Sequence, residues 1–402
     1  MKFVVFLGDG MADNKINSLG DKTPLEVACK NNIDKYSKLG VLGMVNTVPD
    51  NLSPGSDVAN LSVMGYDPNK YYTGRSPLEA ASIGVVLKDN DTAFRANLVT
   101  LSGDGEFSSL IMDDYSADEI STTDAKILID DFNESIKNKK THLYSGVSYR
   151  HLLVLTDKKI EGKLTPPHDI SKKPIFDYLP QDEQILELMK KSYTFFKNHP
   201  YNLKRIAEDK KPASAIWVWG EGKRPKIDSF YSKFKIDGAV ISAVDLIKGI
   251  GILSGLKSID VEGATGNIHT NFEGKAQATI DALKSGLDFV YLHMEAPDEC
   301  GHRFEIENKI KSIEYIDKRA FLPVMEYLEN CGEDFAILVL PDHPTPVETG
   351  THSKDPVPFF AYSNKFVKLG NAYTEENASN TGLFIKDGYK LMKMFLDLTL
   401  FL

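Results

Sequence analysis

Three apolar runs set the frame of the chain. Residues 2 to 8 (KFVVFLG), 287 to 294 (LDFVYLHM) and 335 to 341 (FAILVLP) are largely continuous rather than alternating, and each gives way at once to polar and acidic residues. A strand that is apolar on both sides belongs in a sheet covered on both faces, so these runs predict central strands of a parallel sheet. Residues 305 to 330, between the last two, are charged and periodic, as in a helix that crosses over between parallel strands. Another helix opens near Thr23-Pro24, with proline at a first-turn position. The two ends of the chain therefore predict one doubly wound α/β domain.

Between those ends the texture changes. Shorter strand-like stretches at 92 to 101 and 148 to 156, with a helical stretch at 118 to 137, predict a smaller α+β module inserted into the α/β sheet. The Pro-rich segment 164 to 170 and the helix-like 181 to 197 lead back, and ASAIWVWG (213 to 220) reads as a strand entering the parent sheet. The expected organisation is residues 1 to 65 with 181 to 402 as the larger domain and 66 to 180 as the insertion. A length of 402 residues, beyond what one hydrophobic core usually spans, agrees with two domains.

With 42% apolar and 26% charged residues, the composition is that of a folded globular chain. A formal net charge of -10 disfavours nucleic acid as a partner, because phosphate backbones attract Lys and Arg clusters that are missing here. It does not exclude a small anion, which a few arginines or a metal ion can hold locally. The three cysteines, Cys29, Cys300 and Cys331, are odd in number and lack C-x-x-C spacing, which argues for reduced thiols over a disulfide framework or thiolate zinc site. The first strand is too short for a secretory core, and no apolar stretch approaches the ~18 residues of a membrane span. A cytoplasmic protein with no membrane partner is expected, with a homo-oligomer left open.

Chemistry gathers at the strand ends. Asp9 lies between two glycines just past the first apolar run, where a sheet edge meets solvent; the plain alternative is a turn former or helix cap. Asp298 and His302 are four residues apart, a spacing that puts both on one face of a helical turn. Asp342 and His343 are adjacent, so they converge on one ion only if the chain turns there; His352 follows. Any one of these histidines alone is best read as a hydrogen-bonded structural residue, but four of nine fall between 293 and 352. Mixed aspartate and histidine suits Mn²⁺ or Zn²⁺, whereas a carboxylate-only cage favours Ca²⁺ or Mg²⁺. Ser56 follows a Pro-Gly turn and opens a helical pattern, so it is either an N-cap or a hydroxyl held at the positive end of a helix.

Taken together, GDG at 8 to 10, PGSDVANLSVMGYDP at 54 to 68, the GR of YYTGRSPLEA, YRH at 149 to 151, EAPDECGH at 295 to 302, PDHPTP at 341 to 346 and HS at 352 to 353 resemble the cofactor-independent phosphoglycerate mutases of archaeal type, within the alkaline phosphatase superfamily. The resemblance spans essentially the whole chain. It implies an alkaline-phosphatase-like α/β fold and interconversion of 3-phosphoglycerate and 2-phosphoglycerate, a step of glycolysis and gluconeogenesis, without a bisphosphoglycerate primer. Ser56 would be the nucleophile that carries the phosphoryl group. Two divalent ions are implied, Mn²⁺ foremost with Mg²⁺ or Zn²⁺ as alternatives. Asp9, Ser56, Asp342 and His343 would hold one, and Asp298, His302 and His352 the other. Arg75, Arg150 and His151 match positions expected to hold the phosphate and carboxylate of a small phosphorylated acid, with Asp57 and His168 beside them.

Two positions depart from the pattern: Asn60 stands where archaeal members usually have His, and Ser353 follows His352 where Thr is commoner. The variant PGSDVANLS resembles a bacterial branch proposed to act as homoserine kinase. A homoserine kinase-like phosphotransferase and a metal-dependent phosphatase are thus the catalytic alternatives, and a metal-stabilised binding module is the non-catalytic one. The absence of G-x-x-x-x-G-K-[ST] removes the commonest ATP cradle.

Overall fold

The first apolar run forms the strand Lys2–Gly8, buried at every position. In the computed structural model, which describes residues 1–136, 139–159 and 161–402, it lies between Phe289–Met294 and Phe335–Leu340 and parallel to both. Side chains alternate across it. Val4 and Phe6 join Val290, Leu292, Ile337 and Val339 in one core with Phe272, Ala276 and Ile280 of the helix Phe272–Lys284. Phe3 turns to the other face, where its ring meets Phe395 of the helix Leu391–Leu396 at 5.5 Å. Helices on both faces are the physical reason these strands lack polar alternation.

Among the described residues this sheet has eight strands, in the order Phe384–Ile385, Val41–Val45, Val357–Ser363, Phe335–Leu340, Lys2–Gly8, Phe289–Met294, Gly238–Ile241 and Lys257–Ile259. Val357–Ser363 runs against both its neighbours, so the sheet is mixed. The expected crossover helix at 305 to 330 is Ile306–Tyr315, a π-helical stretch Ile316–Phe321, and Leu322–Asn330. Near Thr23 the helix is one turn long, Pro24–Val27, closed by a capping box in which Thr23 accepts from the Glu26 N–H and Glu26 from the Thr23 N–H.

The chain divides into two compact units, Met1–Tyr72 with Lys226–Leu402, and Thr73–Pro225. The second has its own antiparallel sheet, in which Asp91–Ser102 pairs with Ile111–Asp114, Arg150–Thr156 and Ala215–Lys223, and Thr141–Tyr144 extends the edge. The helices Thr122–Ile136 and Glu183–Lys197 bury Leu128, Phe132, Ile185 and Phe196 against it. Lys137, the last residue of the helix expected at 118 to 137, lies outside the described residues.

Here the structure departs from the sequence expectation. The run at 213 to 220 does not return to the parent sheet but pairs with Asp91–Ser102, from Thr92↔Lys223 to Val99↔Ala215. The second unit consequently extends to Pro225 rather than ending near residue 180, and begins at Thr73 rather than 66. An apolar run says that a strand is buried, not which sheet buries it. Among the described residues no helix is long and apolar enough to cross a membrane, and all three cysteines are free thiols.

Candidate active site

Three loops leave the carboxyl ends of the parallel strands Lys2–Gly8, Phe289–Met294 and Phe335–Leu340, where α/β sheets place their ligands. Asp9 begins the first. Gly10 follows at φ +62°, and a Cβ there would stand 2.6 Å from Thr345 Oγ1 and 2.7 Å from the Asp298 Cα, so only glycine allows so close a pass. Its N–H donates to Asp342 Oδ1 at 3.2 Å. The second loop enters the helix Ala296–His302, which sets His302 Nε2 3.3 Å from Asp298 Oδ2. Beyond the third strand the chain bends, and His343 Nε2 reaches within 3.4 Å of Asp342 Oδ2 and 3.6 Å of Asp9 Oδ1. His352 Nε2 completes the group, 3.3 Å from Asp298 Oδ1 and 2.9 Å from His302 Nε2. A buried ion pair holds the returning turn: Lys309 Nζ donates to Asp13 at 2.7 Å and to the Thr345 carbonyl at 2.8 Å.

Ser56 opens the helix Ser56–Val63 directly after Pro54-Gly55, and its Oγ lies 3.2 Å from His343 Nε2. Asp57, the next residue, accepts from the Tyr72 hydroxyl at 2.7 Å and from the Val58 N–H. All seven residues expected to surround metal thus lie in the first unit. Ligand atoms of Asp9, Asp342 and His343 fall within 4.8 Å of one another, as do those of Asp298, His343 and His352. His343 therefore borders both groups, where the resemblance assigns it to one. A third such group, Asp9, Glu295 and Asp298, adds a residue the sequence reading passed over, although Glu295 follows its strand as directly as Asp9 follows its own.

Burial, together with Asp342, Asp298 and Glu295, raises the Asp9 carboxyl well above the usual range. Burial and Asp298 push Glu295 up to about 7. Asp298 lies well below its usual value in spite of burial, because hydrogen bonds from His302 and His352 favour its charged form. That bond to Asp298 in turn raises His302 to about 9. Asp9 Oδ1 is buried and has no hydrogen-bond partner among the described residues. Crowded carboxylates, a partnerless carboxylate oxygen and imidazoles meeting at their Nε2 atoms fit a divalent cation, and the oxygen-nitrogen mixture suits a borderline one.

Sequence reasoning missed the groups that hold these side chains. Asn60, noted only as a departure from the family pattern, donates to the Ser56 carbonyl at 2.8 Å and to Asp342 Oδ2 at 2.7 Å, while accepting from the Tyr291 hydroxyl at 2.6 Å. His293 bonds Asp9 Oδ2 at 2.9 Å and Ser242 Oγ at 3.0 Å. The available signal was polar atoms at alternate positions, 291 and 293, inside a run that otherwise reads as core.

The second unit carries the other candidates. Its strands place Arg150 opposite Asn97 and beside Arg95 on one face, through the pairs Asn97↔Arg150 and Arg95↔Leu152. Arg95 lies 4.4 Å over the Trp219 ring and 3.0 Å from Glu79. Burial lowers its pKa, and Arg75 and Arg150 repel it while Glu79 attracts it. His168 packs edge-on to Trp219 at 5.3 Å, and burial with Arg95 and Arg75 nearby lowers it too. Arg95, a charge within an apolar strand, was not anticipated. His151 is not brought to this face. Neighbours on a strand point oppositely, so His151 is buried beside Ala96 on the helix-covered side, where Nδ1 accepts from Gly146 and Nε2 finds no partner among the described residues.

The chain is similar in sequence and in fold to known proteins. The model of the 2,3-bisphosphoglycerate-independent phosphoglycerate mutase family matches residues 37–202. A Geobacter sulfurreducens relative is 48% identical over 402 residues, covering 99% of this chain and 100% of its own. The 2,3-bisphosphoglycerate-independent phosphoglycerate mutase of Methanosarcina mazei is 48% identical over 386 residues, with 94% and 96% covered. Among solved structures, a protein from Pyrococcus horikoshii matches with a TM-score of 0.81 at 28% identity, covering 99% of this chain and 97% of that one. The cofactor-independent phosphoglycerate mutase from Thermoplasma acidophilum matches at 0.68 and 25%, covering 99% and 100%. Likeness at this level, end to end in both directions, means that the chain belongs to the family of 2,3-bisphosphoglycerate-independent phosphoglycerate mutases.

Proposed function

We propose that this chain interconverts 3-phosphoglycerate and 2-phosphoglycerate through a phosphoserine at Ser56, in the cytoplasm and as a step of glycolysis and gluconeogenesis. The observation that carries this reading is the Ser56 hydroxyl at a buried helix N-terminus, 3.2 Å from His343 Nε2 within the carboxylate and imidazole cluster. Ser56 Oγ gives up its proton and forms a bond to phosphorus as the bond to the C3 oxygen breaks, and the freed C3 oxygen takes up a proton in exchange. The C2 hydroxyl then gives up its proton and attacks the phosphoserine, which releases the serine oxygen. A serine hydroxyl is a weak nucleophile unless its charged form is favoured, and the helix N-terminus favours it.

Asp9, Ser56, Asp342 and His343 would hold one divalent ion and Asp298, His302 and His352 a second, with His343 beside both. Bound there, Mn²⁺ would lower the pKa of the serine hydroxyl and offset charge on the phosphoryl oxygens. A mutase differs from a phosphatase in that the half-reacted glycerate must stay bound while water is kept from the phosphoserine. We assign that retention to Arg75, Arg95 and Arg150 of the second unit, whose guanidinium forks match phosphate and carboxylate, with His168 in support. His151, on the far side of its strand, has no part in this set.

The test is purified protein with 3-phosphoglycerate and Mn²⁺, without ATP or bisphosphoglycerate, run beside homoserine with ATP and beside Mg²⁺ and Zn²⁺. Formation of 2-phosphoglycerate is expected. Phosphohomoserine as product, with no 2-phosphoglycerate, would overturn the reading.

A further inference from the structure

Two residues of one strand reach the ion-binding carboxylates without being ligands themselves. His293 is fully buried in Phe289–Met294, and both its ring nitrogens are engaged, Nδ1 with Ser242 Oγ at 3.0 Å and Nε2 with Asp9 Oδ2 at 2.9 Å. Neither nitrogen is left for a cation. Ser242 Oγ accepts from the Val244 N–H at 2.9 Å and keeps its own proton, which it can give to His293 Nδ1. In the tautomer where it does, the ring proton sits on Nε2 and is donated to Asp9 Oδ2 at 2.9 Å. Asp9 Oδ1, buried and without a hydrogen-bond partner among the described residues, is the oxygen that remains.

Tyr291 lies two residues earlier and so on the same face. Its hydroxyl donates to Asn60 Oδ1, which turns the Asn60 amide toward Asp342 Oδ2 and the Ser56 carbonyl. One strand thereby reaches one carboxylate directly and the other through a single intermediary, and the intermediary also ties down the first turn of the nucleophile helix.

We propose that Phe289–Met294 is the positioning element of the metal centre: His293, oriented by Ser242, and Tyr291, acting through Asn60, fix the orientation of the Asp9 and Asp342 carboxylates, so that Asp9 Oδ1 is left unbonded toward the ion. This rests on the two-ion reading above. A carboxylate free to rotate would bind the ion at an entropic cost, and loss of a group that orients a metal ligand typically costs about 10–100-fold in affinity.

The test titrates metal-free protein with Mn²⁺ alone. His293→Gln keeps an amide donor where Nε2 stood, toward Asp9; His293→Asn, similar in chemistry and shorter, reaches only the Ser242 side. His293→Asn should bind Mn²⁺ at one site at least about tenfold more weakly than wild type, whereas His293→Gln stays within about threefold. Tyr291→Phe, which removes one oxygen, should weaken binding about tenfold and covers the case in which His293→Asn does not fold. A purely structural role would lower the metal-free melting temperature and leave the Asn and Gln variants alike in Mn²⁺ affinity. Equal affinities of those two, or wild-type affinity in Tyr291→Phe, would overturn the proposal while leaving wild-type ion binding intact. Wild-type protein that binds no Mn²⁺ would overturn the two-ion reading as well.

Discussion

The two units solve opposite electrostatic problems. In the first, Asp9, Asp298, Asp342 and Glu295 crowd together with three imidazoles, and Asp9 is driven well above its usual pKa by burial and by its acidic neighbours. In the second, Arg95 is half-buried and repelled by Arg75 and Arg150, but has its own compensation, a salt bridge to Glu79 and the face of Trp219. The acidic cluster thus offers its oxygen and nitrogen atoms to a divalent cation, while the basic face is supported by its own side chains. Binding of metal should accordingly be a property of the first unit, and discrimination between transfer and hydrolysis a property of the second.

The largest expected effect separates chemistry from binding within the first unit. Ser56→Ala should lower mutase turnover by roughly 10⁴-fold or more, as loss of a covalent nucleophile does elsewhere, while two ions still bind, because other ligands surround each. A steady-state assay paired with a Mn²⁺ titration measures both, and normal turnover in the variant would place the nucleophile elsewhere. Next is removal of metal: a chelator should abolish activity and Mn²⁺ restore it, and His302→Ala should cost at least about 100-fold by losing one ion. Full activity in protein shown by elemental analysis to be metal-free would break the contrast between the units.

A smaller effect belongs to the basic face. Arg150 is exposed, so Arg150→Ala should leave the melting temperature unchanged but remove a charge-assisted bond worth about 1.5–3 kcal/mol to a bound anion. Retention of the half-reacted glycerate should weaken about tenfold or more, which raises the ratio of phosphate release to 2-phosphoglycerate formation. An unchanged ratio with a normal KM removes Arg150 from the site.

The smallest effect sharpens the assignment of faces. His151→Leu should leave KM and that ratio untouched. Burial holds the His151 pKa at about 3, so between the unfolded value near 6.5 and that point the unfolded chain binds a proton that the folded chain refuses. Stability is therefore lost as pH falls through this window, by up to about 1.4 kcal/mol per pH unit from this group. Denaturant titrations at pH 7 and pH 5 should show a shallower loss in the leucine variant, with stability at pH 7 altered by no more than about 1 kcal/mol.

Much of the site could be read because its signals are local. Asp298 and His302 need only one helical turn to share a face, and Ser56 needs only the Pro-Gly turn before it to begin a helix. The central strands were equally legible, since continuous burial on two faces leaves a continuous apolar run. Where the reading went astray, two options with the same local pattern differed only in a distant partner. The run ending in Trp217 and Trp219 was buried as expected, but beside Asp91–Ser102 instead of the parent sheet.

By itself, then, the sequence determined the fold class, the strand ends that bear acid and imidazole, and the family. Tertiary structure alone decided which carboxylate oxygens are held and which left free, that His343 borders both ligand groups, that Glu295 joins them, and that Arg150 and His151 part company. The reason is physical. Orientation of Asp342 and Asp9 rests on hydrogen bonds from Asn60 and His293, 282 and 284 residues away along the chain, and no periodicity or spacing encodes a contact that only the closed sheet brings within 3 Å.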